Sequence, residues 1–207
     1  MIERRMRLGV LISGSGTNLQ AIIDACEART LNAEVAIVVS NHDAAPGLKR
    51  ARDHGIEAAY VDRAKYGSMR DYNVAIRSAL QDALVDVVVM AGYMRKLGTE
   101  VLDFYPDRVV NLHPALLPSF KGASAIHDAF DYGVKVTGVT VHFANENFDE
   151  GPIIAQEAVA IAEDDTPETL EAKIHEVEHR ILPATLQLLA EGRVEVVGRR
   201  VRIKPAM

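Results

Sequence analysis

Along the first half of the chain, short and almost continuously apolar runs alternate with stretches of helical spacing. Residues 8–13 form the first run and lead through Gly14, Ser15 and Gly16 into residues 17–28, where Leu19, Ile22, Ile23 and Cys26 fall on one side of a helix. A second strand is expected at 34–40, a short helix at 47–54 that Gly55 can close, and a third strand at 58–61. Residues 69–84 place Tyr72, Ala75, Ile76, Ala79, Leu80 and Ala83 on one face of an amphipathic helix. Residues 86–91, DVVVMA, read as a strand covered on both faces, followed by the segment 94–97 and a short helix near 99–104. The fifth strand is expected at 108–112. Strands alternating with helices in this order predict an α/β chain with a Rossmann-like, doubly wound, mostly parallel sheet and helices on both faces.

After Gly122 the pattern changes. A helix is expected near 124–132, and residues 136–143 alternate as a half-exposed strand would. The polar turn 145–151 separates them from a further strand at 153–161, so the two strands are expected to pair antiparallel on the sheet edge. Residues 166–190 read as a long helix with Thr166 as N-cap and Pro167 in its first turn, followed by Gly192; a hairpin turning at Gly198 fills 194–203. No repeat or linker interrupts the chain, so one domain over residues 1–207 is expected.

Composition narrows the function classes. The 207 residues are 48% apolar and 25% charged, with net charge -6, which argues against a nucleic-acid surface but allows a small anionic substrate. Cys26 is the single cysteine, so an internal disulfide and a cysteine-based metal site are excluded. Arg4, Arg5 and Arg7 precede an apolar run too short for a signal peptide, and no apolar segment approaches the roughly 18–20 residues that span a bilayer. The expectation is a cytoplasmic protein, monomer or homodimer, with no membrane partner.

Three groups of residues can carry chemistry. In RVVNLHPALLPSFKG, residues 108–122, Asn111 and His113 lie two apart at a strand end and share a face, an amide and an imidazole able to polarise a carbonyl and move a proton. Asp149, in the turn FDEG, would favour the protonated ring if it reaches His113; the sequence equally allows a solvated turn. SGSGTN, residues 13–18, is either a phosphate cradle at a helix N-terminus or a bare structural turn. A dinucleotide fingerprint would want glycine where Leu19 stands and an acid where Asn41 stands, so a monophosphate suits the turn better than a nicotinamide cofactor. His142 shares a strand face with Thr140 and can line the same cleft. His175 and His179 are one helical turn apart, but with Glu176 and Glu178 beside them they read as a solvated face rather than a metal pair.

Taken together, SGSGTN, VVVMAGYMRKL, NLHPALLPSFKG and TVHFANENFDEGPIIAQ, in this order and spacing, resemble the folate-dependent phosphoribosylglycinamide formyltransferases. The resemblance runs from about residue 7 to the end of the long helix. Its most specific part, Asn-x-His-Pro with a downstream Asp, is shared by the wider formyltransferase superfamily and implies formyl transfer from 10-formyltetrahydrofolate. The first turn points to glycinamide ribonucleotide as acceptor, and 207 residues leave no room for the further domains of the initiator-tRNA enzymes or the formyltetrahydrofolate hydrolases.

The resemblance further implies the formyltransferase fold, a catalytic set of Asn111, His113 and Asp149, and no metal. It implies that Gly16, Thr17 and Asn18 hold the substrate phosphate and that Glu178 reaches the ribose or glycinamide part. Arg70, Met94, Arg95, Lys96, Leu97 and Asn111 are implied as folate contacts, with residues 94–97 and 144–149 around the pterin. Two positions depart from the family pattern. Met69 stands where the family commonly has the folate-contacting arginine, one residue before Arg70, and Ile126 stands where a histidine is frequent, with His127 next to it. The rival classes are a transferase acting on another amine, a nicotinamide-dependent oxidoreductase and a non-catalytic nucleotide-binding module.

Overall fold

The apolar run near the N-terminus forms strand β1 (Met6–Ile12), and Gly16, at φ 70°, turns the chain into helix α1 (Thr17–Glu27). The computed structural model describes residues 4–206. They fall into a first unit ending at Val110 and a second beginning at Asn111.

The first unit continues with β2 (Ala33–Ser40), α2 (Pro46–Asp53), β3 (Glu57–Tyr60), α3 (Met69–Asp82), β4 (Val87–Met90) and α4 (Thr99–Leu102). Its strand order is β3-β2-β1-β4, and the pairs β1–β2, β1–β4 and β2–β3 are all parallel, as the alternation of strands and helices predicts. All four residues of β4 are buried, which is why that segment carries no polar alternation. Ser68 caps α3 by accepting from the Asp71 N–H, and Gly55, at φ 69°, follows the end of α2.

Strand β5 (Val109–His113) runs through the boundary, so Asn111 and His113 open the second unit. The strand ends one residue later than the 108–112 expected, and His113 is part of it. Then come α5 (Ala125–Tyr132), β6 (Val136–Phe143), β7 (Ile153–Ala160), α6 (Pro167–Ala190), β8 (Val194–Val197) and β9 (Arg200–Ile203). Strands β6 and β7 pair antiparallel, as expected, but they do not form the edge: β9 pairs parallel to β7, and β8 lies beyond it.

Strand β6 is also not half-exposed. It is buried from Thr137 to Phe143, because its polar positions serve an internal network rather than water. Thr140 Oγ1 donates to Ala115 O at 2.6 Å and accepts from Leu117 N and Gln156 Nε2, fixing the loop after β5. Against β6 and β7 packs α6, whose Leu170, Ile174, Leu182 and Leu186 recur at helical spacing and are buried. Each such side chain contributes about 1.5–3 kcal/mol of burial. Thr166 caps this helix in a reciprocal pair with Thr169, and Pro167 occupies its first turn, as the sequence predicts.

Candidate active site

Period-two geometry places Asn111 and His113 on one side of β5, and Asp149 meets both. Its Oδ1 lies 3.4 Å from Asn111 Nδ2 and its Oδ2 lies 3.5 Å from His113 Nδ1. The His113 and Asp149 side chains are only 5% and 3% exposed, so their attraction is little screened by solvent. The second ring nitrogen, His113 Nε2, donates to Phe120 O at 2.8 Å. Both nitrogens therefore face oxygen acceptors, an arrangement that a doubly protonated ring satisfies. The approach of Asp149 to His113, which the sequence left open, is thus present at ion-pair distance.

His142 belongs to the same cluster. Its Nδ1 donates to Phe143 O at 2.9 Å, which leaves Nε2 as the acceptor of an Asn111 N–H at 3.1 Å. Burial is the largest influence on this ring and pushes its pKa below the ordinary imidazole range, opposed by the Phe143 carbonyl and by Asp149 at 3.7 Å. One buried histidine thus sits against the carboxylate and the other is held neutral. Sequence reading placed His142 on the Thr140 face, where it could line the same cleft, but gave it no contact with Asn111 or Asp149. The period-two spacing from Thr140 was the signal, and what it could not give was the curl of the FDEG turn back over that face.

That turn is firmly held. Asp149 adopts φ 54° and its Oδ2 accepts from the Gly122 N–H at 3.0 Å. Lys121 donates to Glu150 Oε1 at 2.6 Å, and the Arg199 guanidinium donates to the Glu150 carbonyl. The depressed His142 pKa predicts a pH signature. Above about 6.5 the ring is neutral in folded and unfolded chains; as pH falls, the unfolded chain binds a proton that the folded ring refuses, so stability declines. Denaturation midpoints followed from pH 7.5 down to 5 should fall more steeply for the native chain than for His142→Gln, by at most about 1.4 kcal/mol per pH unit. Parallel slopes would show that His142 titrates alike in both states.

In the first unit, the SGSGTN turn is braced from two sides. Gly47 N donates to Gly14 O at 3.1 Å, and Arg50 Nε donates to Ser15 O at 2.9 Å, which sets a cation beside the turn. A Cβ on Gly16 would stand 2.8 Å from Gly47 Cα, so the turn needs glycine both for its left-handed φ and for this approach. Gly16, Thr17 and Asn18 lie at the opening of α1, the end of the helix that carries its partial positive charge. Asn41, used above only to argue against a dinucleotide, is a brace. In the amide orientation that satisfies its neighbours it donates to Ser13 Oγ and Ile12 O and accepts from Arg95 Nε at 3.2 Å.

The segment after β4 is tied to the same turn by Met94 N donating to Ser13 Oγ at 2.8 Å. Met94 is 66% exposed and Lys96 is exposed, whereas Leu97 is buried and Arg95 stacks its guanidinium over the Tyr72 ring. Arg70 is apart from this segment in its contacts. Its side chain is 81% exposed, lies 3.9 Å from Glu100, and lines a groove of about 510 Å³ with Arg77, Thr99, Asp103 and Phe104.

Glu178 occupies a core position of α6, between Ile174 and Leu182, and is buried. His175 Nδ1 bonds its Oε2 at 2.8 Å, and the His175 and His179 rings stack at 6.0 Å. The α6 face is therefore not simply solvated, which corrects the expectation from its charges. Among the described residues no three His, Cys, Asp or Glu side chains are grouped to hold a metal ion. Cys26 is half-buried rather than fully buried, and burial raises its thiol pKa to about 11, so little of the thiolate nucleophile forms at neutral pH. Among the described residues no helix is long and apolar enough to cross a membrane.

Comparison with known proteins shows the family. A sequence profile for the family described as Formyl transferase matches residues 6–186. The chain is 43% identical over 192 residues to the trifunctional purine biosynthetic protein adenosine-3 of Gallus gallus, covering 93% of this chain and 19% of that protein. It thus spans about a fifth of the length of that relative. With the phosphoribosylglycinamide formyltransferase of Bacillus subtilis it is 37% identical over 183 residues, covering 88% of this chain and 94% of the other. The solved structure of glycinamide ribonucleotide transformylase 1 from Symbiobacterium toebii superposes with a TM-score of 0.95 at 48% identity, covering 97% of this chain and 95% of that one. The mostly parallel sheet with its mixed far side is the fold of that structure. The chain belongs to the formyl transferase family.

Proposed function

We propose that this chain transfers the formyl group of 10-formyltetrahydrofolate to the amine of phosphoribosylglycinamide, a step of purine biosynthesis, and that it works as one formyltransferase domain. The observation that carries the proposal is the half-buried Asn111 beside the buried His113 and Asp149, with one carboxylate oxygen toward each of the other two side chains. The family match supports a single domain, since it runs through the boundary at residues 110–111. Small-molecule substrates suit the set: an amide, an imidazole and a carboxylate are enough for acyl transfer between amines.

In the proposed reaction the acceptor amine attacks the formyl carbon, forming a C–N bond and placing negative charge on the formyl oxygen. His113 meets that oxygen by exchanging the Phe120 carbonyl for it on Nε2. The exchange is favourable, because a charged acceptor binds an N–H more strongly than a neutral carbonyl. Asn111 turns one N–H to the same oxygen by giving up its 3.4 Å bond to Asp149, the longest of its contacts. Asp149 takes up the proton that the attacking amine loses and returns it to N10 of the departing tetrahydrofolate as the C–N10 bond breaks. Neither a covalent enzyme intermediate nor a metal ion has a part in this scheme.

Binding roles are proposed separately. Gly16, Thr17 and Asn18 take the phosphate on the opening N–H groups of α1, with Arg50 as an added cation. Glu178 takes the ribose or glycinamide part. Met94, Arg95, Lys96 and Leu97 take the folate, where the exposed Met94 offers a polarisable surface for a flat ring, and Arg70 is assigned the carboxylate tail. The test is a folate-dependent formylation assay with phosphoribosylglycinamide, run against methionyl-tRNA and water as competing acceptors. Formylation of phosphoribosylglycinamide at least a hundredfold faster than of the other two is expected. Preference for water or tRNA would overturn the acceptor assignment.

A further inference from the structure

Glu178 is a carboxylate set in an apolar stripe. Leu170, Ile174, Glu178, Leu182 and Leu186 follow one another at intervals of four along α6, and all five are buried. A charged group in such a position is costly unless it is hydrogen-bonded or paired. The same helix carries His175, three residues earlier, which places the two side chains side by side. Its Nδ1 bonds Glu178 Oε2 at 2.8 Å, and its Nε2 lies 3.5 Å from Glu171 Oε1, one turn toward the N-terminus. The imidazole is thus spanned by two carboxylates and needs protons on both nitrogens to serve them.

We propose that His175 is a positioning residue for substrate binding: it fixes the Glu178 carboxylate in one orientation so that it can receive the hydroxyl or amine groups of the amine substrate. The inference rests on the reading of Glu178 as a substrate contact. Two further observations fit it. The Glu178 bond is the largest influence on His175 and raises its pKa above the ordinary imidazole range, against the effect of burial. The His179 ring stacks on His175 with an interplanar angle of 5°, which restricts its rotation about the side chain. Glu171 is more than half exposed and contributes little by itself; it orients the outer nitrogen.

The role predicts a split between kinetic constants that loss of a surface ion pair would not produce. His175→Leu, which keeps bulk but offers no donor, should raise KM for phosphoribosylglycinamide about tenfold, with kcat and KM for the folate within about twofold of the native values. Such a change corresponds to about 1.4 kcal/mol of binding. His175→Gln retains an N–H donor and should restore KM to within about threefold. In a double-mutant cycle, His175→Leu should add nothing further on a Glu178→Gln background, since the residue acts through that carboxylate. Unchanged KM in His175→Leu, while Glu178→Gln raises it, overturns the positioning role alone. Unchanged KM in Glu178→Gln removes Glu178 from the substrate site and this inference with it. A uniform fall in kcat for His175→Leu with a lowered melting temperature would also overturn it, as a purely structural effect.

Discussion

Asp149→Asn is expected to lower turnover by about 10²–10⁴-fold while KM for both substrates stays within about threefold. The side chains are nearly equal in shape, and an amide oxygen can still accept the Gly122 N–H that holds the turn. What changes is the face toward β5. With the amide oxygen kept on Gly122 and His113, the NH₂ takes the place of Oδ1 and offers a proton to the Asn111 amide, which meets an acceptor there in the native chain. The imidazole is left against a neutral amide in place of a carboxylate, and the developing oxyanion loses the charge behind its His113 donor. Steady-state kinetics of the purified variant, with circular dichroism to confirm the fold, supply the measurement. The same loss is expected for His113→Ala, and combining the two changes should cost little more than either, because groups that act as a unit are not additive. Turnover near the native rate in Asp149→Asn would sink the catalytic assignment.

The proposed catalytic set was legible in the sequence to different depths. Asn111 and His113 could be placed together because a strand forces side chains two apart onto one face, a purely local rule. Asp149 could be named as a candidate but not placed, since its approach depends on a turn 36 residues after His113 whose curl no local pattern specifies. His142 shows the limit most clearly. It was placed with Thr140 on a face that could line the cleft, but not in the network where the loop after β5 and Asn111 find their hydrogen bonds. Period two says which residues share a face but not what covers it. The parallel strands of the first unit were legible for the opposite reason: continuous apolar runs are informative when both faces are covered. The β6–β7 pair was misplaced at the edge because the β8–β9 hairpin, short and mostly exposed, carries no pattern that announces where it docks. Glu178 had a usable signal that was passed over: it falls on the i, i+4 stripe of α6, and an acid on such a stripe is seldom there without a partner or a task.

Gly151→Ala is expected to be the most damaging change of a single methyl group. A Cβ at this position would overlap the carbonyl oxygen and carbon of Phe143, both main-chain atoms that cannot swing aside as a flexible side chain could. Either β6 or the turn must move, at a cost of about 1–3 kcal/mol. The Phe143 carbonyl is the acceptor that fixes His142 Nδ1, and Asp149 lies two residues before Gly151, so either movement reaches the catalytic set directly. Displacing Phe143 O frees the His142 ring and thereby the Asn111 amide; displacing the turn withdraws Asp149 from His113. A misplacement of about 1 Å is enough for a hundredfold loss of turnover. Gly133→Ala separates this local effect from general destabilisation. That residue follows α5 at φ 81° with open space around it, so the variant should lose about 1–2 kcal/mol through backbone strain and keep its turnover. Chemical denaturation and kcat measured on both variants decide the matter: equal stability losses with turnover lost only in Gly151→Ala place the effect at Phe143, whereas turnover falling alike in both would mean that fold stability, and not the register of the turn on β6, sets the activity.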